Sequence, residues 1–242
     1  MKKIFAFIGS PLKEKSNTYT LTKMMLDRLK SLDKDIQYEI LTSGQVKINY
    51  CLGCWTCMTK GFCPQDKLDD MGMLKEKMMA ADFIIWGSPV YIMHVSGQMK
   101  TFLDRLCCWF HLIKLAGKPG LTVATTGQQG LETIHEYFEM LLGSLGVVSV
   151  GRLDAVGYYE RLKDPQEAQR KAEDAAKQIY PYIIGERVPQ SNKLMEECFQ
   201  VIKNKVTFGA RGLPADYEYW KKNDMLEINS FADLLGRIKK DK

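Results

Sequence analysis

The first 184 residues alternate between short apolar segments and longer segments with helical periodicity. This pattern predicts strands at 4–8, 37–41, 83–86, 121–125 and 147–156. It predicts helices at about 17–32, 70–81, 96–112, 131–144 and 164–184. Short apolar strands separated by amphipathic helices are typical of a parallel sheet that is covered on both faces. We therefore predict an α/β fold for this part of the chain.

Five strands and five helices in this order fit a flavodoxin-like doubly wound sheet with the strand order 2-1-3-4-5. In such sheets, ligands bind at the carboxyl ends of the strands, next to the point where the strand order reverses. The loops at 9–18, 87–97 and 125–130 each follow a predicted strand. We expect these three loops to meet at one edge of the sheet and to form the binding site.

The remaining residues have a different character. Helical patterns occur at 191–205 and 228–239, and the stretch between them contains Gly209, Gly212, Pro214 and the aromatic residues Tyr217, Tyr219 and Trp220. No strand pattern follows Gly185. The sequence therefore predicts a core domain at 1–185 and a helical C-terminal extension at 186–242, whose purpose the sequence does not reveal.

The charge of the chain is concentrated at one end. The net charge is +5, and residues 1–62 hold ten Lys and Arg against five Asp and Glu, which accounts for all of it. There is no long basic run, so the sequence argues against nucleic-acid binding and favours a small anionic ligand near the N-terminus. No apolar run approaches the length of a membrane span or a secretory leader, so we expect a cytoplasmic protein with reduced thiols.

The first loop, Gly9–Thr18, is suited to holding a phosphate. The N-terminus of the following helix offers free backbone N–H groups, and the helix dipole favours negative charge there. The side chains of Ser10, Ser16, Asn17 and Thr18 add further donors. The spacing is not that of a P-loop. The alternative is that Ser16, Asn17 and Thr18 only cap the helix.

The second loop, Gly87–Lys100, follows the third predicted strand. Pro89 favours an extended turn directly after that strand, and Tyr91 could border a flat heterocycle. The alternative is an ordinary connecting loop with a partly buried tyrosine. His94 is expected to face solvent or to be a satisfied polar residue, because nothing else in the sequence points to a catalytic base.

Together the motifs resemble those of a known family. GSP…SNT after the first strand, SPVY…SGQMKTFLDR after the third and TTGQQG after the fourth are similar to the NADPH-dependent FMN reductase and flavodoxin-like quinone reductase superfamily. The cysteine-rich loop between the first and second of these motifs resembles that of the iron–sulfur flavoprotein branch of this superfamily. The resemblance covers about residues 1–180.

The resemblance implies a site for FMN. By this likeness Ser10, Ser16, Asn17 and Thr18 hold the phosphate. Ser88, Pro89, Val90 and Tyr91 line the edge of the isoalloxazine ring, and Thr126, Gly127 and Gly130 face its other side. Lys100, Asp104 and Arg105 match the family helix too, and we interpret them as structural or interfacial residues.

The cysteine loop, residues 51–63, carries Cys51, Cys54, Cys57 and Cys63 in the spacing C-x2-C-x2-C-x5-C. The first three follow the spacing of bacterial ferredoxins, and Pro64 follows the fourth as it does there. A [4Fe–4S] cluster is therefore one interpretation. Free or regulatory thiols are another, and zinc is a third, although zinc ligands usually form two separated pairs. The other cysteines, Cys107, Cys108 and Cys198, are expected to pack in the core.

These features favour an FMN-binding oxidoreductase. A nicotinamide cofactor would bind transiently, reduce the flavin and leave, after which FMN, a quinone or an iron–sulfur acceptor would take the electrons in a ping-pong scheme. The alternatives are a non-enzymatic flavodoxin-like electron carrier and a redox sensor that uses its thiols or cluster. The resemblance implies a homodimer or homotetramer, in which Trp55, Tyr91 and His94 border the partner's flavin.

Overall fold

A computed structural model describes residues 1–209 and 212–240 of the chain. The strands are β1 Lys2–Ile8, β2 Ile36–Thr42, β3 Phe83–Tyr91, β4 His94–Val95, β5 Pro119–Thr126, β6 Val148–Tyr158 and β7 Arg161–Leu162. The α-helices are α1 Asn17–Leu32, α2 Thr56–Lys60, α3 Met71–Ala80, α4 Gly97–Asp104, α5 Cys107–Leu112, α6 Leu131–Ser144, α7 Pro165–Ile184, α8 Lys193–Phe208, α9 Pro214–Lys222 and α10 Phe231–Lys240.

The sheet confirms the predicted α/β architecture. Its order is β2-β1-β3-β5-β6-β7, and the first five of these strands pair in parallel. These five correspond to the predicted order 2-1-3-4-5. β1 is buried along almost its whole length because helices cover both faces of the sheet.

Each face of the sheet has its own apolar core. On one face Phe7 and Trp86 pack against Phe102 of α4 and Phe138 of α6. On the other face, Leu21 and Met25 of α1 and Ile179 of α7 form one cluster with Leu121 and Val123 of β5. The helices therefore alternate between the two faces, as in a doubly wound sheet.

Two short antiparallel hairpins extend the sheet where the sequence predicts only loops. β3 continues through Pro89 to Tyr91 and turns back into β4, so the strand predicted at 83–86 is longer than expected. β6 turns back into β7 in the same way. Pro89 is tolerated in β3 because it lies at the last position paired with β5.

The turn between β3 and β4 is strained. Its two central residues, Ile92 and Met93, have φ values of 47° and 64°. A two-residue hairpin turn with both φ values positive favours Asn and Gly, whereas a β-branched residue there is unfavourable. Ile92 is also 97% exposed, so no packing compensates the strain.

We expect Ile92→Asn to stabilise the protein by about 1 kcal/mol, because Asn tolerates the left-handed conformation. Urea unfolding of the two proteins measures the difference. Val201→Asn is the matched control, since Val201 is also an exposed aliphatic residue but lies in a regular helix. An equal change in both variants would contradict the strain argument.

The prediction of one continuous helix at 96–112 is wrong. The structure has two helices, α4 and α5, which are separated at Arg105 and Leu106. The side chain of Arg105 is fully buried in ion pairs with Asp66 and Asp69, and Leu106 is buried in the core. No Gly or Pro marks this break, and the partners of Arg105 lie far away along the chain.

The described part of the extension contains three helices and a small core of its own. The rings of Trp220 and Phe231 both contact that of Phe199 at its centre, and Ile113 and Val148 of the first 185 residues join the same cluster. The helix α9 was not predicted. The division of the chain at residue 185 stays a prediction. Within the described residues, no helix is long and apolar enough to cross a membrane.

Candidate functional site

A cleft of about 330 Å³ opens at the carboxyl ends of β1, β3, β5 and β6. It is lined by Ser10, Leu12, Ser16, Asn17, Pro89, Val90, Tyr91, Thr125, Thr126, Gly127, Gly157, Tyr158 and Tyr159. The three loops that the sequence singled out therefore do meet at this edge. Of the predicted flavin-binding residues, Thr18, Ser88 and Gly130 lie behind the lining rather than in it.

The start of α1 forms the polar end of the cleft. Ser16 is the N-cap of this helix, and its Oγ accepts a hydrogen bond from the N–H of Tyr19 at 3.5 Å. Among the described residues, the N–H groups of Asn17 and Thr18 have no hydrogen-bond partner. Because Ser10 is buried beside them, the arrangement can receive a phosphate. Capping and anion binding are thus compatible here.

Thr18 supports the loop from behind. Its hydroxyl shares a hydrogen bond of 2.6 Å with the hydroxyl of Thr125, and both side chains are buried. Gly87 passes directly beneath Thr18, and a Cβ at this glycine would lie 3.0 Å from the Thr18 methyl group and 2.6 Å from Ile8. The first loop therefore requires a residue without a side chain on β3.

Ser88 has a structural role in the hairpin. Its Oγ accepts a hydrogen bond from the N–H of Ser96 at 3.0 Å and donates one to the carbonyl of Pro89 at 2.8 Å. Ser96 caps α4 and donates to the carbonyl of Gly9. The two loops are therefore tied together beneath the cleft, while Pro89, Val90 and Tyr91 form its wall.

The loop after β5 closes the site from the other side. Thr126 Oγ1 donates to the carbonyl of Gln129 at 2.6 Å and accepts from the N–H of Gln128 at 3.1 Å, which makes a compact turn. Gly130 follows with a φ of +91°, and a Cβ there would lie 2.7 Å from the side chain of Val90. Glycine at this position allows the two loops to pack against each other.

Sequence reasoning missed the third wall of the cleft. Gly157, Tyr158 and Tyr159, in the β6–β7 hairpin, line it, and the side-chain amide of Asn17 donates to the carbonyl of Tyr159 at 3.1 Å. Two adjacent tyrosines directly after a predicted strand were the signal that could have found this wall. Tyr91, Ile92, Met93 and Tyr159 leave an exposed apolar rim around the opening.

The cysteine loop follows β2 and includes the short helix α2. Met58 of α2 is buried in the core, while Cys51 and Cys54 are exposed and Cys57 and Cys63 are half-buried. Within 1–209 and 212–240, no group of three or more His, Cys, Asp or Glu side chains is close enough to hold a metal ion. α2 also packs against α9, with Gly61 next to Ala215, so the extension forms part of the surroundings of this loop.

The three other cysteines do not all pack as expected. Cys108 is buried and Cys198 is half-buried, but Cys107 is exposed, so its predicted role in the core is wrong. Cys107 lies on the first turn of α5, where the break after Arg105 turns it away from the core. Cys108 approaches the cysteine loop and its thiol forms a hydrogen bond with Cys57.

This contact shifts the pKa values of the two thiols in opposite directions. The hydrogen bond from Cys108 is the main cause that lowers the pKa of Cys57 to about 6, and the charge of Lys75 contributes. The same hydrogen bond and burial raise the pKa of Cys108. The lowered pKa of Cys57 therefore favours its thiolate form at neutral pH.

We expect Cys57 to react with iodoacetamide faster than an ordinary thiol at pH 7 when no metal is bound, because a lowered pKa populates the nucleophilic thiolate above about pH 6. Peptide mapping after a short pulse at several pH values measures this rate. Cys108→Ala should move the reaction midpoint to higher pH. A midpoint that stays near that of Cys198 in the unchanged protein would contradict the assignment.

A buried polar network joins the extension to the core. His111 Nδ1 lies 2.8 Å from Asp216 Oδ2, and its Nε2 lies 2.9 Å from Lys205 Nζ. Trp220 Nε1 donates to the carbonyl of His111 at 2.7 Å.

His94 is exposed and contacts the ring of Tyr137 edge-on, in agreement with its expected solvent-facing position.

A parallel sheet with a cleft at its switch point and a helix N-terminus at the polar end of that cleft is typical of flavodoxin-like folds. A family profile described as NADPH-dependent FMN reductase matches residues 2–159. The chain therefore belongs to this family, which consists of FMN-dependent NAD(P)H oxidoreductases.

Individual relatives agree with this assignment. An iron–sulfur flavoprotein of Archaeoglobus fulgidus is 33% identical over 230 residues, which cover 93% of this chain and 100% of that protein. An FMN-dependent NADPH-azoreductase of Staphylococcus aureus is 30% identical over 128 residues, 53% of this chain and 65% of that protein.

Solved structures share the fold. An NADH:FMN oxidoreductase in its apo form has a TM-score of 0.56 and 22% identity, and the likeness covers 76% of this chain and 90% of that one. An FMN-dependent NADH-azoreductase from Bacillus anthracis in complex with FMN has a TM-score of 0.55 and 15% identity, covering 74% and 98%.

Proposed function

We propose that this protein uses FMN in the cleft to pass electrons from NAD(P)H to a second acceptor by a ping-pong mechanism. The observation that carries the proposal is the start of α1 at the polar end of this open cleft, where the N–H groups of Asn17 and Thr18 have no partner among the described residues. Such donors at a helix N-terminus suit a phosphate monoester, and the tyrosine-lined walls suit a flat ring.

Each wall of the cleft has a distinct task in this mechanism. FMN, when bound, supplies the hydride and electron chemistry. The loop around Ser10 and Ser16 anchors the phosphate, while Pro89 and Tyr91 on one side and Gly127 on the other fix the plane of the ring. No side chain of the chain is required as nucleophile or general base.

The open rim favours the ping-pong order. Tyr91, Ile92, Met93 and Tyr159 are exposed, so a planar donor can stack above the ring position, leave, and be replaced by a planar acceptor. FMN, a quinone or an iron–sulfur protein are the acceptor classes that we propose. A second copy of the chain would cover this rim in a homodimer or homotetramer, with Trp55 and His94 at its border.

We further propose that Cys51, Cys54, Cys57 and Cys63 hold a [4Fe–4S] cluster. Four thiolates are the donor set of such clusters. The residues fit chemically, since the pKa of Cys57 is lowered to about 6 and left-handed backbone at Gly53, Trp55 and Gly61 lets the loop curve. A cluster would supply one-electron transfer at this place.

Anaerobic purification followed by flavin, iron and sulfide analysis tests both cofactors. We expect one FMN and about four irons per chain, the content of one cubane cluster. Stopped-flow mixing with NADPH or NADH should then bleach the flavin, and turnover should follow with a quinone. The double variant Cys51→Ser with Cys63→Ser should lose iron and keep FMN, whereas Cys198→Ser, which changes a cysteine of the extension, should keep both.

The outcomes separate the alternatives. Protein without flavin would refute the proposal as a whole, and flavin without iron would refute the cluster. If neither nicotinamide reduces the flavin while reduced ferredoxin does, the protein is an electron carrier instead. If partner binding depends on the four cysteines while flavin reduction does not change, a thiol-based or cluster-based sensor is favoured.

A further inference from the structure

One buried guanidinium, that of Arg105, contacts both ends of the cysteine loop. Its Nη1 donates to the carbonyl of Asn49 at 3.0 Å, which lies before the loop. The same nitrogen donates to the carboxylate of Asp69, and Nη2 donates to Asp66 Oδ1 at 2.9 Å, both after the loop. The side chains of Arg105 and Asp69 are completely buried. A single side chain therefore closes the segment that carries all four candidate ligands.

Backbone contacts confirm that the two ends meet. Asp69 Oδ2 accepts the N–H of Asn49 at 2.9 Å. Lys47 and Asp70 form a reciprocal pair, in which the Lys47 N–H donates to Asp70 Oδ2 at 2.7 Å and the Asp70 N–H donates to the carbonyl of Lys47 at 2.9 Å. The loop thus leaves the core and returns to it at one place, which Arg105 occupies.

The clamp also brings positive charge to the thiols. Arg105 interacts electrostatically with Cys63. Lys75 is buried, pairs with Asp66 at 2.7 Å and interacts in the same way with Cys57. Asp66 and Asp69 pair with these same two cations, so the four charged groups beside the loop balance, and loss of either cation leaves an excess of negative charge there.

We propose that Arg105 is the positioning residue of the cysteine site: it holds the loop ends together so that the four thiols can converge. This inference rests on the proposed cluster. Groups that orient metal ligands without touching the metal commonly affect metal affinity by about 10- to 100-fold.

Arginine is required for this geometry. Its guanidinium is a rigid fork with five donors, and here it reaches three acceptors on two segments at once. Lysine carries the same charge on a single compact group and cannot span these acceptors. Arg105→Lys therefore keeps the charge and loses the clamp, whereas Arg105→Met loses both.

The test measures iron retention during titration with a chelator, in the anaerobically purified holoprotein. We expect Arg105→Met to release iron at about 10- to 100-fold lower chelator concentration, with FMN content unchanged. Arg105→Lys should hold iron to an intermediate degree. The reduction potential of the remaining cluster should be more negative in Arg105→Met than in Arg105→Lys, an ordering that a purely structural role would not produce.

Arg170→Met is the matched control. Arg170 also pairs with two carboxylates, those of Glu167 and Asp174, but it is exposed on α7. This variant should retain iron as the unchanged protein does. If Arg105→Met fails to fold, Asp66→Asn removes one arm of the clamp at a partly exposed position and should weaken iron retention several-fold.

Failure of the proposed cluster and failure of the proposed role of Arg105 give different experimental results. Unchanged protein that contains no iron refutes the proposed cluster, and amide exchange of the metal-free protein then tests the clamp directly. Arg105→Met must accelerate exchange within residues 51–63 while α1 stays protected. Iron retention equal to that of the unchanged protein, or unchanged exchange in the loop, would overturn the assignment of Arg105.

Discussion

Replacing both Ser10 and Ser16 by Ala is expected to raise the Kd for FMN by roughly 100- to 10 000-fold. Each hydroxyl can donate to the phosphate, and a hydrogen bond to a charged group contributes about 1.5–3 kcal/mol, of which 1.4 kcal/mol corresponds to a factor of ten. Quenching of flavin fluorescence during titration of the apoprotein measures the Kd.

Two controls accompany this variant. Ser31→Ala changes a serine on the exposed C-terminal part of the same helix, whose hydroxyl donates only to the carbonyl of Arg28, and it should leave the Kd unchanged. Ser16→Ala also removes the cap of α1 and should lower the free energy of unfolding by about 1 kcal/mol. If the double variant binds FMN as tightly as Ser31→Ala does, the phosphate does not occupy this loop.

Replacing Trp220 by Ala is expected to lower the free energy of unfolding by about 3–5 kcal/mol. Trp220 is completely buried at the centre of the extension, its ring centroid lies 5.6 Å from that of Phe199, and its Nε1 donates to the carbonyl of His111. The cavity would lie beneath α9, which also packs against α2. Iron content should therefore fall together with stability, while FMN content should not.

Urea unfolding followed by far-ultraviolet circular dichroism measures the effect. Trp220→Phe is the control, because it keeps most of the apolar volume and loses only the hydrogen bond, at a cost of about 1–3 kcal/mol. Equal stability of the Ala variant and the unchanged protein would show that the core of the extension is not part of the cooperative structure.

The order of the sheet could be predicted because each parallel strand is a continuous apolar run. Residues 4–8 and 121–125 needed no tertiary information, since burial on both faces dictates their composition. The three loops of the cleft were also predictable, because a parallel sheet brings the carboxyl ends of its strands to one edge.

Features that depend on distant partners could not be predicted. At the break between α4 and α5, Arg105 pairs with carboxylates that lie 36 and 39 residues earlier in the chain. The turn at Ile92 and Met93 has none of the residues that usually mark a hairpin. In α9, Pro214 looked like a loop residue, but it occupies the first helical turn, where its missing N–H costs nothing.

The site shows the same division between local and distant information. The donors at Ser10 and Ser16 follow from a local pattern, whereas Ser88 matches the resembled motif but supports the hairpin from within. The contribution of Tyr158 and Tyr159 arises from an antiparallel turn that alternation of strands and helices does not reveal. The proximity of Cys108 to Cys57 also depends on how two helices meet.

The reciprocal hydrogen bonds of Lys47 and Asp70 hold the two ends of the segment between them together, whatever the segment itself contains. When the ends of a loop are already fixed, each doubling of its length costs only about 0.6 kcal/mol of closure entropy. The segment could therefore lengthen, shorten or lose its cysteines during evolution without a change in the sheet. Electron-transfer chemistry could be added to, or removed from, this scaffold while the flavin cleft stayed as it was.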